Sequence, residues 1–202
     1  MLVCVSLLIG TLVRAFGRPG FDGPIIERCH GWLDTSAGPI FERASQIGYG
    51  ALLLLVALVA SVMIGLVLRS VRVGIAPVAA CGAGIAINPL VKQLFDRPRP
   101  NLESAYALTS LSMPSGHATS SAALATALVL VLPTGFVRWI AGVPLVAAAA
   151  LVGVSRLVLG VHWPSDVLAG WLFGAGVAFL SVAAVGGALE PVEDADTRVP
   201  AR

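Results

Sequence analysis

The chain alternates between long apolar runs and short polar stations, and the runs are close to membrane-spanning length. A helix needs about 20 apolar residues to cross a bilayer. Five runs approach that length, over about residues 49–68, 73–91, 117–132, 139–154 and 167–185. Runs 117–132 and 139–154 reach it only with flanking residues. A sixth run, 2–16, is shorter still. It lacks the basic start and small-residue cleavage site of a signal sequence, so it reads as a transmembrane helix. Its shortness also raises the expectation that the natural start lies upstream of Met1.

Residues 17–48 follow a different pattern. Charged Arg18, Asp22, Glu27, Arg28, Asp34, Glu42 and Arg43 are mixed with Phe21, Ile25, Ile26, Trp32, Leu33 and Phe41. The mixture fits an amphipathic segment lying on the membrane surface, and equally an ordinary connecting loop. Residues 190–202 carry four acids and two arginines with little apolar content, and read as a disordered tail.

The expected architecture is an all-α membrane protein. Residues 1–189 form one six-helix transmembrane bundle, with 17–48 between the first two spans. Parity then constrains the polar stations. The end of span three at Lys92 and the start of span four at His117 share a membrane face. The end of span five at Ser155-Arg156 and the start of span six near His162 lie on that same face. The stations therefore converge at one end of the bundle.

Composition supports the membrane assignment. Of 202 residues, 57% are hydrophobic and 12% charged, against about 25% charged in soluble domains. Mean hydropathy is +0.90. A net charge of +2 gives no reason to expect a nucleic-acid partner. Cys4, Cys29 and Cys81 have no metal-type spacing and read as apolar fillers. Nothing in the sequence indicates an oligomeric state. Eight of the thirteen basic residues fall on the face that carries the stations. Taken alone, that count favours the cytoplasm, but half of them belong to the stations themselves.

The stations carry the chemistry of an anion site. Lys92, the only lysine, is followed by Arg99-Pro100, then Pro114-Ser115-Gly116-His117, then Ser155-Arg156, His162 and Asp166. Polar groups beside a membrane core are costly and point to function. Lys92, Arg99 and Arg156 supply three cations, and a phosphoryl group needs fixed cations and N–H donors. Ser115 and Gly116 precede an apolar run and provide a helix N-terminus, where free N–H groups attract an anion. Pro114 suits the entry of that helix. His162 and Asp166 are four apart, a spacing that places them on one helical face, with Pro164 in the first turn. An Asp that holds one ring nitrogen of His162 leaves the other to attack phosphorus or to act as a base. His117 is placed to give a proton to the leaving oxygen. Asp96 and Arg97 are expected to pair with each other or to face water, with substrate contact by Arg97 as the lesser alternative.

These residues resemble the three-part signature of the type 2 phosphatidic acid phosphatase family, whose site is shared with vanadium haloperoxidases. The motif match spans residues 92–166, and the six-helix plan extends it over nearly the whole chain. The resemblance implies that His162 is the nucleophile and forms a phosphohistidine, that Asp166 orients it, and that His117 protonates the leaving group and then activates water. It implies that Lys92, Arg99, Ser115, Gly116 and Arg156 bind the phosphate, and that neither metal nor cofactor is needed. It also places the site at the extracytoplasmic end of the helices in the cell membrane. The stretch 162–171, HWPSDVLAGW, looks like small bacterial members, many of which act on undecaprenyl diphosphate.

Three functional classes remain in view. The first is a membrane phosphatase for a lipid phosphate partner, with undecaprenyl diphosphate ahead of phosphatidic acid or phosphatidylglycerol phosphate. The second is a vanadate-dependent haloperoxidase, which the hydrophobic content disfavours. The third is a non-catalytic lipid-binding scaffold, disfavoured because His117, His162 and Asp166 are all present.

Overall fold

A computed structural model describes residues 1–48, 50–102 and 110–185. The tail expected over 190–202 lies outside the described residues. Among them, every regular element is an α-helix: α1 Leu2–Phe16, α2 Asp22–His30, α3 Gly38–Ile47, α4 Gly50–Val67, α5 Val71–Phe95, α6 Gly116–Val131, α7 Phe136–Val158 and α8 Pro164–Ala184.

The six apolar runs become α1 and α4 to α8. The short run 139–154 lengthens to the 23 residues of α7, which takes in Arg156. The run 73–91 lengthens to the 25 residues of α5, which takes in Lys92. Four helices, α4, α5, α7 and α8, are long and apolar enough to cross a membrane. At about 1.5 Å per residue, the 15 residues of α1 and 16 of α6 fall short of a hydrocarbon core about 30 Å thick.

Helix α6 is the centre of the bundle. It packs against α5, α7 and α8, and its most extensive partner is α8. Close approach explains that pairing. Gly170 and Gly174 lie one turn apart on α8, and a Cβ at Gly174 would come within 2.0 Å of the Thr119 carbonyl oxygen. Without a hydrophobic drive between helices in lipid, such small-residue seams supply the packing. Ala123, Ala127 and Ala178 continue the core away from the site. Helix α1 closes the far side of α8, where the Ser6 hydroxyl donates to the Ala169 carbonyl at 2.8 Å. Helix α4 is peripheral: only 17% of its apolar window is buried, against 50% for α8.

Residues 17–48 are not a loop. They form α2 and α3, which fold back on α7 and leave Asp22, Ile26, Cys29, Ala44 and Ser45 buried. Cys29 and Cys81 are buried free thiols, and Cys4 is exposed.

Candidate active site

The C-terminal ends of α5 and α7 and the N-terminal ends of α6 and α8 meet at one end of the bundle. The described parts of the connections, 96–102, 110–115 and 159–163, lie against them. Hydrogen bonds lock the segments together: Ser112 N–H donates to the Arg97 carbonyl at 2.8 Å, and Ser115 N–H donates to the Asp166 carbonyl at 3.0 Å. The loop after α7 is pinned by His30, whose Nδ1 lies 2.8 Å from the Val158 carbonyl oxygen. Gly160 takes a φ of +66°, a conformation suited to glycine, in the turn that leads to His162.

His162 lies just ahead of α8 and is buried. The pair therefore does not share a helical face: Trp163 is the N-cap of α8, and Asp166 meets His162 from the first turn. Asp166, in the first turn of α8, reaches back so that Oδ2 accepts the Trp163 N–H at 2.8 Å. The same oxygen accepts from the Ser112 hydroxyl and lies 3.5 Å from His162 Nδ1. Pro164 opens α8, where a missing N–H costs nothing. Pro114 sits one residue before the N-cap of α6, outside the helix.

The other ring nitrogen of His162, Nε2, is 3.1 Å from Arg99 Nη1. A guanidinium has donors and no acceptor. Nε2 is therefore the bare nitrogen, and the ring proton rides on Nδ1, toward Asp166. Burial pushes the imidazole well below its ordinary range, and the hydrogen bond and charge of Asp166 oppose that shift. The ring is neutral at pH 7, with its lone pair beside a cation.

Lys92 and Arg99 act electrostatically on the His162 ring, and Arg156 acts on His117. Arg99 also donates to the carbonyls of Val161 and Ser110, each at 2.7 Å. Lys92 Nζ donates to the carbonyls of Leu111 at 2.5 Å and Ser112 at 3.1 Å. Arg156 on α7 donates to Ser45 on α3. His117, in the first turn of α6, has Arg156, His162, Arg99 and Lys92 as its electrostatic neighbours. Ser115 is the N-cap of α6, and Gly116 is its first residue. The first N–H groups of a helix have no intrahelical acceptor. The Ser115 hydroxyl is buried with no partner among the described residues. The structure thus gathers His162, His117, Asp166, Lys92, Arg99, Ser115, Gly116 and Arg156 at one end of the bundle.

One expectation is corrected. Arg97 neither pairs with Asp96 nor faces water. Asp96 caps α5 in a left-handed conformation and is exposed, whereas Arg97 is 6% exposed. Arg97 Nη1 donates to Asp166 Oδ1 at 2.5 Å and to the Ser165 hydroxyl at 2.7 Å. Its Nη2 donates to Asp22 Oδ2 at 2.7 Å. Asp22, Ser112 and Ser165 also went unnoticed in the sequence. The one available signal was the doubled Arg-Pro of residues 97–100, which offers two guanidinium groups where the site chemistry uses one.

Comparison with known proteins bears on this arrangement. An undecaprenyl-diphosphatase of Sulfolobus acidocaldarius is 38% identical over 120 residues, 56% of each chain. A decaprenylphosphoryl-5-phosphoribose phosphatase of Mycobacterium tuberculosis is 41% identical over 117 residues, 54% of this chain and 60% of its own. The chain thus matches little more than half the length of these relatives. The fold is that of a transmembrane PAP2-type phosphatidylglycerolphosphate phosphatase from Bacillus subtilis, seen in a crystal structure, with a TM-score of 0.79 at 20% identity over 94% of this chain and 98% of the other. The family model of the PAP2 superfamily matches residues 50–189, the stretch that contributes every station from Lys92 to Asp166, and the chain belongs to that superfamily.

Proposed function

We propose that this protein is a membrane-embedded lipid phosphatase that works through a phosphohistidine on His162. The observation that carries the reading is the split environment of the His162 ring: Nδ1 faces Asp166, and bare Nε2 faces Arg99 at 3.1 Å. Nε2 attacks phosphorus, and the bond to the leaving oxygen breaks with its electron pair on that oxygen. His117 delivers a proton to it. The ring then carries positive charge, which Asp166 stabilises through Nδ1–H. His117, now a base, takes a proton from water, which attacks phosphorus and releases His162. Lys92, Arg99, Arg156, the α6 N-terminus at Gly116 and the orphan Ser115 hydroxyl neutralise the phosphoryl oxygens. No step requires a metal.

The reading extends to topology and substrate. All six apolar helices span the membrane within one unit of residues 1–189, and the site faces the extracytoplasmic side. Helix α6 reaches that role although short, because α5, α7 and α8 surround it. The substrate is a polyprenyl diphosphate, undecaprenyl diphosphate first. Two relatives named for polyprenyl-linked phosphates support this choice. A glycerolipid monoester is the second reading, supported by the name of the Bacillus subtilis structure.

The test is phosphate release by purified protein in detergent with EDTA, from undecaprenyl diphosphate, phosphatidic acid and phosphatidylglycerol phosphate, with His162→Ala as the blank. Faster release from the prenyl diphosphate is expected. Preference for a glycerolipid moves the substrate assignment. Lipid binding without release leaves a non-catalytic scaffold. Bromide oxidation with vanadate would revive the haloperoxidase reading.

A further inference from the structure

The buried polar groups behind His162 form a closed network that the reaction as proposed does not use. Asp22 is 0% exposed, although it sits in a segment rich in surface charge. Its Oδ1 accepts the Ser165 N–H at 2.9 Å, and its Oδ2 accepts both the Ser165 hydroxyl and Arg97 Nη2 at 2.7 Å. Arg97 in turn holds Asp166 Oδ1, and Trp163 covers its guanidinium with the ring centroid at 5.6 Å. Each terminal nitrogen of Arg97 is thus engaged with buried protein groups.

From this geometry we infer that Asp22 and Arg97 are positioning residues for the His162–Asp166 pair, and that α2 is a working part of the site. Two consequences of the network support the assignment. The first is orientation. With Oδ1 of Asp166 clamped by Arg97, the carboxylate cannot rotate, and Oδ2 stays aimed at His162 Nδ1. The second is charge. Arg97 alone would neutralise Asp166 and cancel its pull on the imidazolium that forms on phosphoryl transfer. Asp22 occupies the other branch of the guanidinium, so the three groups carry one net negative charge beside the ring. Two buried carboxylates around one guanidinium are costly to maintain. Their oxygens are satisfied by Ser165, Ser112 and the Trp163 N–H, which makes the arrangement tenable.

The inference rests on the proposed role of His162, and the experiment separates the two. Turnover of undecaprenyl diphosphate would be compared for wild type, His162→Ala, Arg97→Lys, Asp22→Asn and the double variant Asp22→Asn/Arg97→Gln. Activity would be referred to the concentration of sites that bind inorganic vanadate, so that misfolded protein does not count. We expect kcat to fall on the order of 10–100-fold in Arg97→Lys and Asp22→Asn, by analogy with the loss of outer partners that orient metal-bound imidazoles. KM should stay within about twofold, because neither residue meets substrate. The double variant restores one net negative charge and should recover part of the loss seen in Asp22→Asn. A raised KM with kcat preserved would make Arg97 a substrate contact and overturn the inference. Unchanged kcat in both Arg97→Lys and Asp22→Asn would also overturn it, as would a double variant that recovers none of the Asp22→Asn loss. Full activity in His162→Ala would instead remove the underlying reading. If Asp22→Asn yields no folded protein, Ser165→Ala removes one shared hydroxyl and should lower kcat several-fold at constant KM; wild-type kcat there would count against the network.

Discussion

Substituting Gly174 by alanine tests whether the α6–α8 seam sets the geometry of the site. The added Cβ would lie 2.0 Å from the Thr119 carbonyl oxygen, 2.9 Å from its carbon and 3.0 Å from Ala123 N. All three are backbone atoms, so no side chain can swing aside. Moving the closest contact from 2.0 to 3.0 Å opens the seam by at least 1.0 Å. Overpacking of this kind costs about 1–3 kcal/mol, and alanine returns up to about 1 kcal/mol of helix propensity. A net loss of about 1–2 kcal/mol is expected. The effect on turnover should be larger than the effect on stability. Helix α6 carries Ser115, Gly116 and His117, and α8 follows directly on His162 and carries Asp166. A displacement of about 1 Å between reacting groups costs on the order of 100-fold in rate. The control is Gly82→Ala on α5, where the nearest atom to a new Cβ is Leu54 Cδ1 at 3.9 Å. That variant should be neutral or slightly stabilised. Thermal unfolding in detergent and steady-state phosphate release give both quantities. If Gly174→Ala matches Gly82→Ala in midpoint and in kcat, the seam does not govern the site.

Other perturbations address the chemistry directly. Asp166→Asn should lower kcat by about 10³–10⁴-fold with little change in KM, by analogy with loss of the orienting carboxylate in other His-based sites; a purely KM effect would contradict its role behind the nucleophile. Ser115→Ala removes a buried hydroxyl that has no partner among the described residues, and should cost about 10²-fold in kcat; wild-type rates would show that the hydroxyl does not meet the phosphate. Burial puts the folded pKa of His162 below its unfolded value, so its ring stays neutral as pH falls through 6.5, as the proposed nucleophilic role needs; an acid limb of kcat/KM near 6.5 that persists in His117→Ala would refute that assignment. Incubation with EDTA should leave turnover intact, and loss restored by a divalent ion would refute the metal-free route.

How much of this was legible depended on how local the signal was. Hydropathy located all six apolar helices within a few residues, because each run carries its own burial pattern. Lys92, Arg99, His117 and His162 stood out because charge and imidazole are rare in an apolar background. The helices α2 and α3 were invisible as helices. At 9 and 10 residues they are too short to be stable alone. Their fold comes from packing Ile26, Cys29 and Ala44 inward, chiefly against α7, and α7 is remote in sequence. Asp22 was hidden for the same reason: it lies 75 residues from Arg97 and resembles its surface-charged neighbours. The His162–Asp166 spacing was noticed, yet periodicity suggested a shared face where Pro164 enforces a cap. Ser112 is one serine among many until the chain folds it onto Asp166.

The charge network also has a direction in time. A ribosome delivers Asp22 first, Arg97 75 residues later and Asp166 a further 69 residues on. Without Asp166, Arg97 and Asp22 make an electrically neutral pair. The surplus negative charge arrives with the same segment that brings His162. The surplus charge and His162 are therefore carried by one stretch of chain, and the Ser165 hydrogen bonds to Asp22 tie that stretch to the N-terminal helices.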